Sequence, residues 1–592
     1  MSKQKKAGNT EKAVKDVVAV KEAEAARAAV NQQDGPESAR IKQRFGHITS
    51  TLMTIYVLFY LCIFPLATHD KYFDILDFRF KLYWIPTLIY GILFLVLGIL
   101  YLISDKRRNG GALTAKLKED LKWNVLKTKL TKTDICFITL IFIMTLSVLF
   151  ADYQYEALWG SRGRFNGLVL WLMFFIAYWL VTRFYHFKKW HLYAYLVAAC
   201  FPEIWGITDF FLLDLFHFHE GAAANYIYTF VSSVGNINTY TNMVALHLGA
   251  SIALFVLAKA KWEMILSGIA LVIASFAIIM GISDNGLLAA AAVFAFLPFA
   301  TWADTKAITR YFIALSSFAT SVAVTAQLTI GRATMADCDG GSVFVTIGKT
   351  TAGIMLVVAV CTFTIILILI FRKNVEGAEE KRVQRAKRAW MILVVLAMAA
   401  VLAVYIDANS GNHSEIWAPY QNILIFSDTW GTGRGINWRF AWEYFTKDAG
   451  FLKKLIGYGP DTYYIITMDH FKHAMRDAGY GIFDSAHNEY IEYLTTIGIL
   501  GTLAYLGVLV TGLRQMLKKS KNRFAIACGF AVIAYAVQAV VNIAIPITTP
   551  IYMTLLYVGI SIVKESADIK TGIERMEEDS YEIQPEFSED LK

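Results

Sequence analysis

The chain has 592 residues, of which 56% are hydrophobic and 18% are charged, and its mean hydropathy is +0.45. This composition excludes an ordinary soluble globular protein, and the repeated apolar runs of about 18 to 23 residues are long enough to cross a bilayer. The net charge of +8 requires no nucleic-acid partner, because many of the Lys and Arg residues lie in loops between these runs.

The chain begins with a charged segment, residues 1–45, that is rich in Lys, Glu and Ala. This composition predicts a cytosolic, partly helical or disordered extension, with no visible signal peptide. Residues 46–133 follow as N-terminal spans and a basic cytosolic loop. We expect the first apolar run to act as an uncleaved membrane anchor.

The apolar runs predict an all-α polytopic membrane protein with about fourteen transmembrane helices, because the period-two alternation of a membrane β-barrel is missing. The runs lie near residues 49–67, 83–104, 134–150, 167–182, 192–213, 241–259, 262–281, 285–301, 311–330, 351–371, 389–406, 487–511, 523–543 and 546–563. They define a membrane core, 134–406, and a C-terminal group of spans, 487–563.

The basic loops determine the predicted orientation, since cytoplasmic loops of membrane proteins are enriched in Lys and Arg. Placing "RFYHFKKWH", "RKNVEGAEEKRVQRAKR" and "LRQMLKKSKNR" inside puts both termini in the cytosol of a multi-pass protein of the cytoplasmic (inner) membrane. The acidic tail, residues 564–592, is then cytosolic. The long loop 407–486 faces outward, and its length and helical pieces predict an extracytoplasmic loop that carries the chemistry.

Positively charged residues are few on the predicted outer face. "SRGRFNG" places Arg164 before the fourth run, and "GRGINWRF" places Arg434 and Arg439 in the long loop. Guanidinium groups bind diphosphates in bidentate fashion, but they also anchor proteins to lipid phosphates. Trp438, which lies between the two loop arginines, offers a flat face to a sugar ring or belongs to the interfacial aromatic belt.

Several polar residues lie within or beside the fifth run. Glu203 and Asp209 are acids inside it, and such acids favour a functional cavity or a proton path. His217 and His219 in the next loop come nearest to a metal-binding pattern, but a third ligand at a recognisable spacing is missing. The six cysteines form no CxxC pair, and we expect neither a metal nor another cofactor.

A polar segment opens the twelfth run in the stretch "FDSAHNEYIEYL". Asp484 and Ser485 are the predicted N-caps, which would place His487 in the first helical turn, where the helix dipole disfavours a protonated imidazole. A neutral histidine on the outer face can accept a proton from a substrate. The structural alternative is an interfacial histidine that bonds a loop carbonyl.

Two glutamates follow this histidine. Glu489 and Glu492 are three residues apart and share a helix side, where a buried acid is costly unless it is paired. Arg434 or Arg439 in the loop above are the natural partners. A purely structural ion pair is the main alternative, and we favour it for Glu492.

Taken together, these stretches resemble the O-antigen ligase/polymerase family of polytopic membrane glycosyltransferases. "AHNEYIEYLTTIGILGTLAYL" is similar to the family's C-terminal signature, "GRGINW" to its arginine-to-tryptophan motif, and "LIGYGPDTYY" to the turn that follows this motif. "SRGRFNGLVLWL" and "GNINTYTNMVAL" resemble two earlier family stretches. The resemblance covers roughly residues 134–563, and the order of parts is also similar.

The resemblance implies a C-type glycosyltransferase architecture and a metal-independent, inverting reaction on the outer face of the membrane. A glycan ligase or polymerase of this kind moves a glycan from a polyprenyl (undecaprenyl) diphosphate carrier to a hydroxyl of a glycan, lipid or protein. By motif, His487 matches the base and Arg434 the arginine that holds the donor diphosphate. Further implied residues are Arg164 and Arg439 for the diphosphate, and Asn488, Glu489, Trp438 and Tyr458 for the glycan or for support of the site.

The chain departs from the family at one element. Many members carry a Ser-Arg-Gly element between two middle spans, whereas the matching stretch here is "GISDNGLLAAAAV". Asp284 and Asn285 stand where a basic element is expected. Either another arginine substitutes, with Arg164, Arg332 or Arg439 as candidates, or the donor is bound differently.

Two other functions remain as alternatives. One is a small-solute or bicarbonate-like anion transporter, in which Glu203, Asp209 and Asp284 line an ion path. The other is a non-catalytic scaffold for envelope assembly. Release of undecaprenyl diphosphate from a glycan-bearing donor, and its loss in His487→Ala, would distinguish the enzyme from both.

Overall fold

A computed structural model describes residues 35–582, apart from residues 162, 225, 338–341, 372–378, 412 and 419–420. This part of the chain is mostly α-helical, with one antiparallel pair of short strands, β1 (Phe230–Val231) and β2 (Gly235–Asn236). In their register Phe230 lies opposite Asn236, and Val231 lies opposite Gly235. Most of the predicted extension 1–45 and the end of the predicted tail 564–592 lie outside the described residues.

The helices before the long loop share an apolar character. They are α1 (Pro36–Leu58), α2 (Ile75–Arg108), α3 (Lys132–Leu149), α4 (Leu168–Phe184), α5 (Lys189–Phe210), α6 (Ile237–Val256), α7 (Lys261–Met280), α8 (Asn285–Thr301), α9 (Thr305–Leu328), α10 (Thr351–Phe371) and α11 (Glu379–Ser410). A π-helical turn (Phe59–Ile63) and a 3-10 turn (Phe64–Leu66) extend α1.

The long loop folds into short helices, and a group of C-terminal helices follows it. The loop helices are α12 (Trp430–Glu443), α13 (Phe451–Ile456), α14 (Tyr463–His470) and α15 (Lys472–Asp477), and the C-terminal ones are α16 (Glu489–Thr496), α17 (Gly498–Arg514), α18 (Arg523–Gln538) and α19 (Thr549–Glu582). Shorter helical pieces are Ala112–Asp120, Trp123–Lys129, Gln154–Trp159, Tyr226–Thr229, Met335–Asp337, Val343–Lys349, Ser414–Trp417, Gln421–Leu424, Tyr444–Asp448, Gln515–Lys519 and Ala539–Val541.

Ten helices in the described part of the chain are long and apolar enough to cross a membrane, and α4 and α8 are shorter apolar helices. Each of the fourteen predicted runs overlaps a labelled helix. The predicted all-α polytopic membrane fold is therefore confirmed. The domain boundaries, the orientation of the termini and the choice of membrane stay predictions.

The bundle is centred on α6, which is buried along its whole apolar length. Gly249 lets α6 approach α18 closely, because a Cβ at this position would meet the backbone carbonyl of Phe530. Small residues at such contacts are the usual way in which membrane helices pack. By contrast, the apolar lengths of α10 and α11 are almost entirely exposed, so their side chains are suited to contact with lipid.

A charged cluster joins the first turns of α7 and α18. The buried carboxylate of Glu263 accepts hydrogen bonds from both terminal nitrogens of Arg523, at 2.6 and 2.7 Å. It also accepts from the backbone N–H groups of Lys259 and Ala260, both at 2.9 Å. One carboxylate thus satisfies four donors and ties two helices that are far apart in the sequence.

Glu263→Ala is expected to lower the free energy of unfolding by about 2–4 kcal/mol, because it leaves Arg523 and two backbone N–H groups without their acceptor. Glu220→Ala is the matched control, since its contact with Lys71 is long at 3.4 Å and lies at the surface. That change should alter stability by less than about 0.5 kcal/mol. Unfolding of the purified variants in detergent measures both, and equal losses would contradict the role of the cluster.

Candidate active site

Two side chains from α12 hold the turn that carries the predicted base. The Asn437 amide donates to the carbonyl oxygen of Ser485 at 2.8 Å, and the Trp438 indole N–H donates to that of Ala486 at 2.9 Å. Tyr463 in turn donates to the Asn437 amide oxygen at 2.7 Å, which fixes the orientation of that amide. The "GRGINW" segment of the loop is therefore bonded directly to the "DSAHN" segment.

His487 lies in this turn and not in a helix. Its φ is +48°, in the left-handed region that a non-glycine residue rarely adopts. The N-cap of α16 is Asn488, whose side-chain oxygen accepts from the N–H groups of Tyr490 and Ile491 at 3.0 and 3.1 Å. The predicted N-caps Asp484 and Ser485 are wrong, and so is the placement of His487 in the first helical turn. The Asn488 side chain is used for capping.

Two arginines from different parts of the chain lie near the imidazole. Burial is the main cause that lowers the pKa of His487 to about 4, and the charges of Arg434 and Arg164 lower it further. The imidazole is therefore neutral at neutral pH and can accept a proton. Its neutrality results from burial and neighbouring cations, whereas the sequence suggested the helix dipole.

Arg434 projects from a kinked start of α12. Gly431, Thr432 and Gly433 have positive φ angles, and the Arg434 guanidinium donates to the Gly431 carbonyl at 2.9 Å. Its Nε is buried and has no hydrogen-bond partner among the described residues. Burial lowers the pKa of Arg434, and the charge of Asp284 partly offsets this effect. Asp284 belongs to the "SDN" element, which departs from the family pattern, and this acid therefore lies near Arg434.

Arg164 comes from the loop between α3 and α4. Its guanidinium donates to the Asp484 carboxylate at 2.5 Å, while its Nε is buried without a partner in the described part of the chain. Asp461 holds this loop, because its carboxylate accepts from the N–H groups of Ser161 and Asn166 at 3.1 and 2.9 Å. Burial raises the pKa of Asp461 to about 7, although these N–H groups and Arg164 favour the ionised form.

The "GYGP" turn closes the far end of α16. The N–H groups of Tyr458 and Gly459 donate to the carbonyls of Thr495 and Thr496, at 3.2 and 2.9 Å. Gly457 has a φ of +84°, and a Cβ there would collide with the Thr496 carbonyl. Glycine at position 457 is therefore needed for this close approach. The Tyr458 hydroxyl donates to Asp469 at 3.2 Å, so within the described residues it serves the packing of the loop.

A cavity of about 210 Å³ opens beside His487. One wall is polar and includes Arg164, His487, Asn236, Asn238, Thr239 and Asn542. The rest of the lining is apolar and consists of Ile75, Leu76, Phe230, Val234, Ile543, Ile545 and Ile547. The predicted base and one predicted diphosphate ligand therefore share one amphipathic cavity.

Other predicted residues have different partners. Arg439 forms a bidentate ion pair with Asp428 at 2.9 and 2.8 Å on the surface of the loop. Glu489 accepts hydrogen bonds from the hydroxyls of Tyr505 and Tyr535, the latter at 3.1 Å. The predicted partnership of Glu489 with Arg434 or Arg439 is therefore wrong.

Two further residues that the sequence singled out, Glu492 and Arg332, lie in different places. Glu492 accepts from the backbone N–H of Ala486 at 3.2 Å, so it also supports the turn before His487. Arg332 lines a separate open hollow with Gln327 and Lys349, and it does not line the cavity of His487. Of the substitutes proposed for the missing family arginine, Arg164 is the one that lines this cavity.

One group of side chains could hold a metal ion, and it is separate from the cavity. Cys200, Glu203 and His247 offer ligand atoms that lie within 4.8 Å of one another. The His247 Nδ1 and the Glu203 carboxylate are already hydrogen-bonded to each other at 2.7 Å. Three donors of sulfur, oxygen and nitrogen type suit zinc, but a structural zinc site takes four. The sequence singled out Glu203 and missed His247, which lies alone in an apolar run.

Comparison with known families adds to this geometry. Residues 341–506 match the family model described as O-antigen ligase. The match confirms the resemblance that the motifs indicated, and it includes α12, Arg434, Trp438 and His487 but not Arg164. A search among curated proteins found no match.

Asp461→Ala should lower the free energy of unfolding by about 2–4 kcal/mol, because two buried backbone N–H groups lose their acceptor. Asp461→Asn keeps an oxygen for both groups and should retain most of the stability. In the wild type, the raised pKa means that the folded state binds the proton more tightly than the unfolded chain. Stability should therefore fall as pH rises from about 4 to about 7.

Unfolding temperatures measured between pH 4 and pH 8 test this prediction. The wild type should lose stability relative to Asp461→Asn as pH rises through this window, because asparagine does not titrate. A constant difference between the two proteins would contradict the buried carboxyl as the cause.

Proposed function

We propose that this O-antigen ligase-like membrane protein transfers a glycan from a polyprenyl (undecaprenyl) diphosphate carrier to an acceptor hydroxyl on the outer face of the cytoplasmic membrane. The family match supports ligase- or polymerase-type glycan transfer in general. The observation that carries the finer proposal is a neutral His487 near the incompletely paired Arg434 and Arg164, with His487 and Arg164 lining one cavity. A base and an anion-binding group are the two requirements of such a transfer.

Arg434 and Arg164 are the proposed ligands of the donor diphosphate. Each has a buried Nε without a partner among the described residues, and each guanidinium has further N–H groups that can donate to an oxyanion. Negative charge grows on the diphosphate as its bond to the sugar breaks, and fixed guanidinium groups stabilise that charge. Arg439 is a weaker candidate, because it would first have to release Asp428.

His487 is the proposed base. The acceptor hydroxyl oxygen forms a bond to the anomeric carbon, the hydroxyl proton moves to the imidazole, and the electron pair of the broken C–O bond leaves with the diphosphate. A direct displacement of this kind inverts the anomeric configuration. Trp438 and Asn437 act as positioning residues, since they hold the turn and do not themselves take the proton.

The donor itself is expected to strengthen this base. Without substrate, Arg434 and Arg164 contribute to the low pKa of His487. A diphosphate bound between them would offset their charge and raise the pKa towards the usual range of histidine. The imidazole then becomes a better proton acceptor when the leaving group is in place.

The transport alternative gains no support from the described residues. Its three acids have separate partners: Glu203 bonds His247, Asp209 accepts from the Ser232 N–H at 2.6 Å, and Asp284 accepts from the Val343 N–H at 3.3 Å. These contacts therefore do not connect the three acids into one ion path.

His487→Ala is expected to reduce release of undecaprenyl diphosphate from a glycan-bearing donor by about 10²–10⁴-fold, since a general base contributes this much. The measurement uses purified protein with donor and acceptor, and mass spectrometry of the released lipid. His413→Ala is the matched control, because His413 lies exposed in the same loop and pairs with Asp407. Turnover that survives in a folded His487→Ala protein would exclude this residue as the base.

The pH dependence of kcat/KM should report the pKa of His487 in the protein without bound substrate. The imidazole must be unprotonated, so activity should stay level down to about pH 5 and fall about tenfold per pH unit below the pKa of about 4. The profile is measured in the Asp461→Asn variant, because position 461 then does not titrate and does not contribute to the pH dependence. A loss of kcat/KM that already begins near pH 6.5 would contradict the depressed pKa of His487.

A further inference from the structure

We infer that the amide groups of Asn236 and Asn238 complete the diphosphate subsite beside His487, in place of the arginine that the family carries in its middle element. This inference rests on the proposed function and adds residues and a binding chemistry to it. It starts from the polar wall of the cavity, to which both asparagines contribute at the beginning of α6.

Asn236 presents a hydrogen-bond donor to the cavity. It is the N-cap of α6, and its side-chain oxygen accepts from the backbone N–H of Asn238 at 2.9 Å. A backbone N–H can only donate, so this bond identifies which end of the amide is the oxygen. The amide nitrogen is the group that remains for a ligand.

Asn238 is oriented by the element that departs from the family pattern. Its side-chain oxygen accepts from the Ser283 hydroxyl at 2.7 Å and from the Asn285 amide at 3.1 Å. These two residues flank Asp284. With its oxygen occupied twice, the Asn238 side chain also offers its amide nitrogen to the cavity.

Asn542, which also lines the cavity, supports this arrangement. Its amide nitrogen donates to the backbone carbonyl of Asn238 at 3.1 Å, and its oxygen accepts from the Ile543 N–H at 2.9 Å. Both ends of this buried side chain are therefore used. The position of Asn238 is thus set by three residues from two distant segments.

The polar wall consequently offers mainly donors: two amide nitrogens and the guanidinium of Arg164. An oxyanion accepts hydrogen bonds and donates none, so it matches such a wall better than sugar hydroxyls do, which both donate and accept. The isoleucines Ile543 and Ile545, which also line the cavity, suit the first isoprene units of a lipid chain. An amphipathic cavity of this kind fits the diphosphate head of a prenyl carrier.

Asn238→Asp tests the inference with a nearly isosteric change. The aspartate keeps an oxygen for Ser283 and Asn285, but it replaces the amide nitrogen with a negatively charged oxygen that faces the cavity. The affinity for undecaprenyl diphosphate without a glycan should fall about tenfold or more, because a donor to a charged group is lost. Asn236→Asp should act in the same way, and aspartate caps a helix as well as asparagine does.

Asn522→Asp is the matched control, since Asn522 caps α18 by accepting from the Phe524 N–H at 3.0 Å. Its affinity for undecaprenyl diphosphate should equal that of the wild type. Binding is measured in detergent with two probes, undecaprenyl diphosphate alone and the glycan-bearing donor. Folding of each variant is checked by its unfolding temperature, and Asn236→Asp decides the matter if Asn238→Asp does not fold.

The outcomes separate the inference from the proposed function. Weaker binding of both probes by the Asn238 and Asn236 variants, with unchanged binding by the control, supports the amide subsite. Unchanged binding of undecaprenyl diphosphate overturns it, and a loss restricted to the glycan-bearing donor overturns it in favour of a sugar contact. Failure of the wild type to bind either probe would instead refute the proposed function.

Discussion

The arrangement of the site depends on two hydrogen bonds, from Asn437 and Trp438 to the carbonyls of Ser485 and Ala486. They join α12 of the long loop to the two residues before His487, ahead of the C-terminal helices. Because His487 has a left-handed backbone, which is unfavourable for a residue with a Cβ, its turn must be held by contacts from outside. The loop therefore positions the base as well as supplying an arginine. Trp438 was predicted to contact the glycan or to lie in the interfacial belt, and the structure adds a direct bond through its indole N–H.

Charge balance is the second constraint. Arg434 and Arg164 are both largely withdrawn from solvent, and each has a carboxylate nearby: Asp284 for Arg434 and Asp484 for Arg164. Neither guanidinium has its Nε satisfied within the described residues. A buried arginine with an unused donor is costly unless a ligand completes its hydrogen bonds. The nearby carboxylates therefore offset part of the charge of the two arginines, while the unpaired Nε groups remain a cost to the free protein.

The sequence predicted the helical fold well, because apolar runs long enough for a bilayer can be recognised without tertiary contacts. It also located the segments of the site, as "GRGINW" and "AHNEY" do meet in the structure. It did not predict the helix start, since Asp484, Ser485 and Asn488 are all good caps and the choice depends on contacts with α12. It matched Arg434 to the family's arginine but kept Arg439 as a candidate substitute, because only the folded loop shows that Asp428 binds Arg439. Asp461 was missed because its role depends on backbone groups about 300 residues earlier in the chain.

Under the proposed function, the absence of an arginine from the "SDN" element is compatible with the same electrostatics. A third guanidinium beside Arg434 and Arg164 would bind a diphosphate more strongly, but it would also lower the pKa of His487 further and weaken it as a base. Neutral amides can donate to phosphate oxygens without adding positive charge. Asp284, in place of a cation, offsets part of the charge of Arg434. If the asparagines have the role that we propose, affinity for the donor and basicity of His487 do not oppose each other, and the charge of the donor itself strengthens the imidazole as a base.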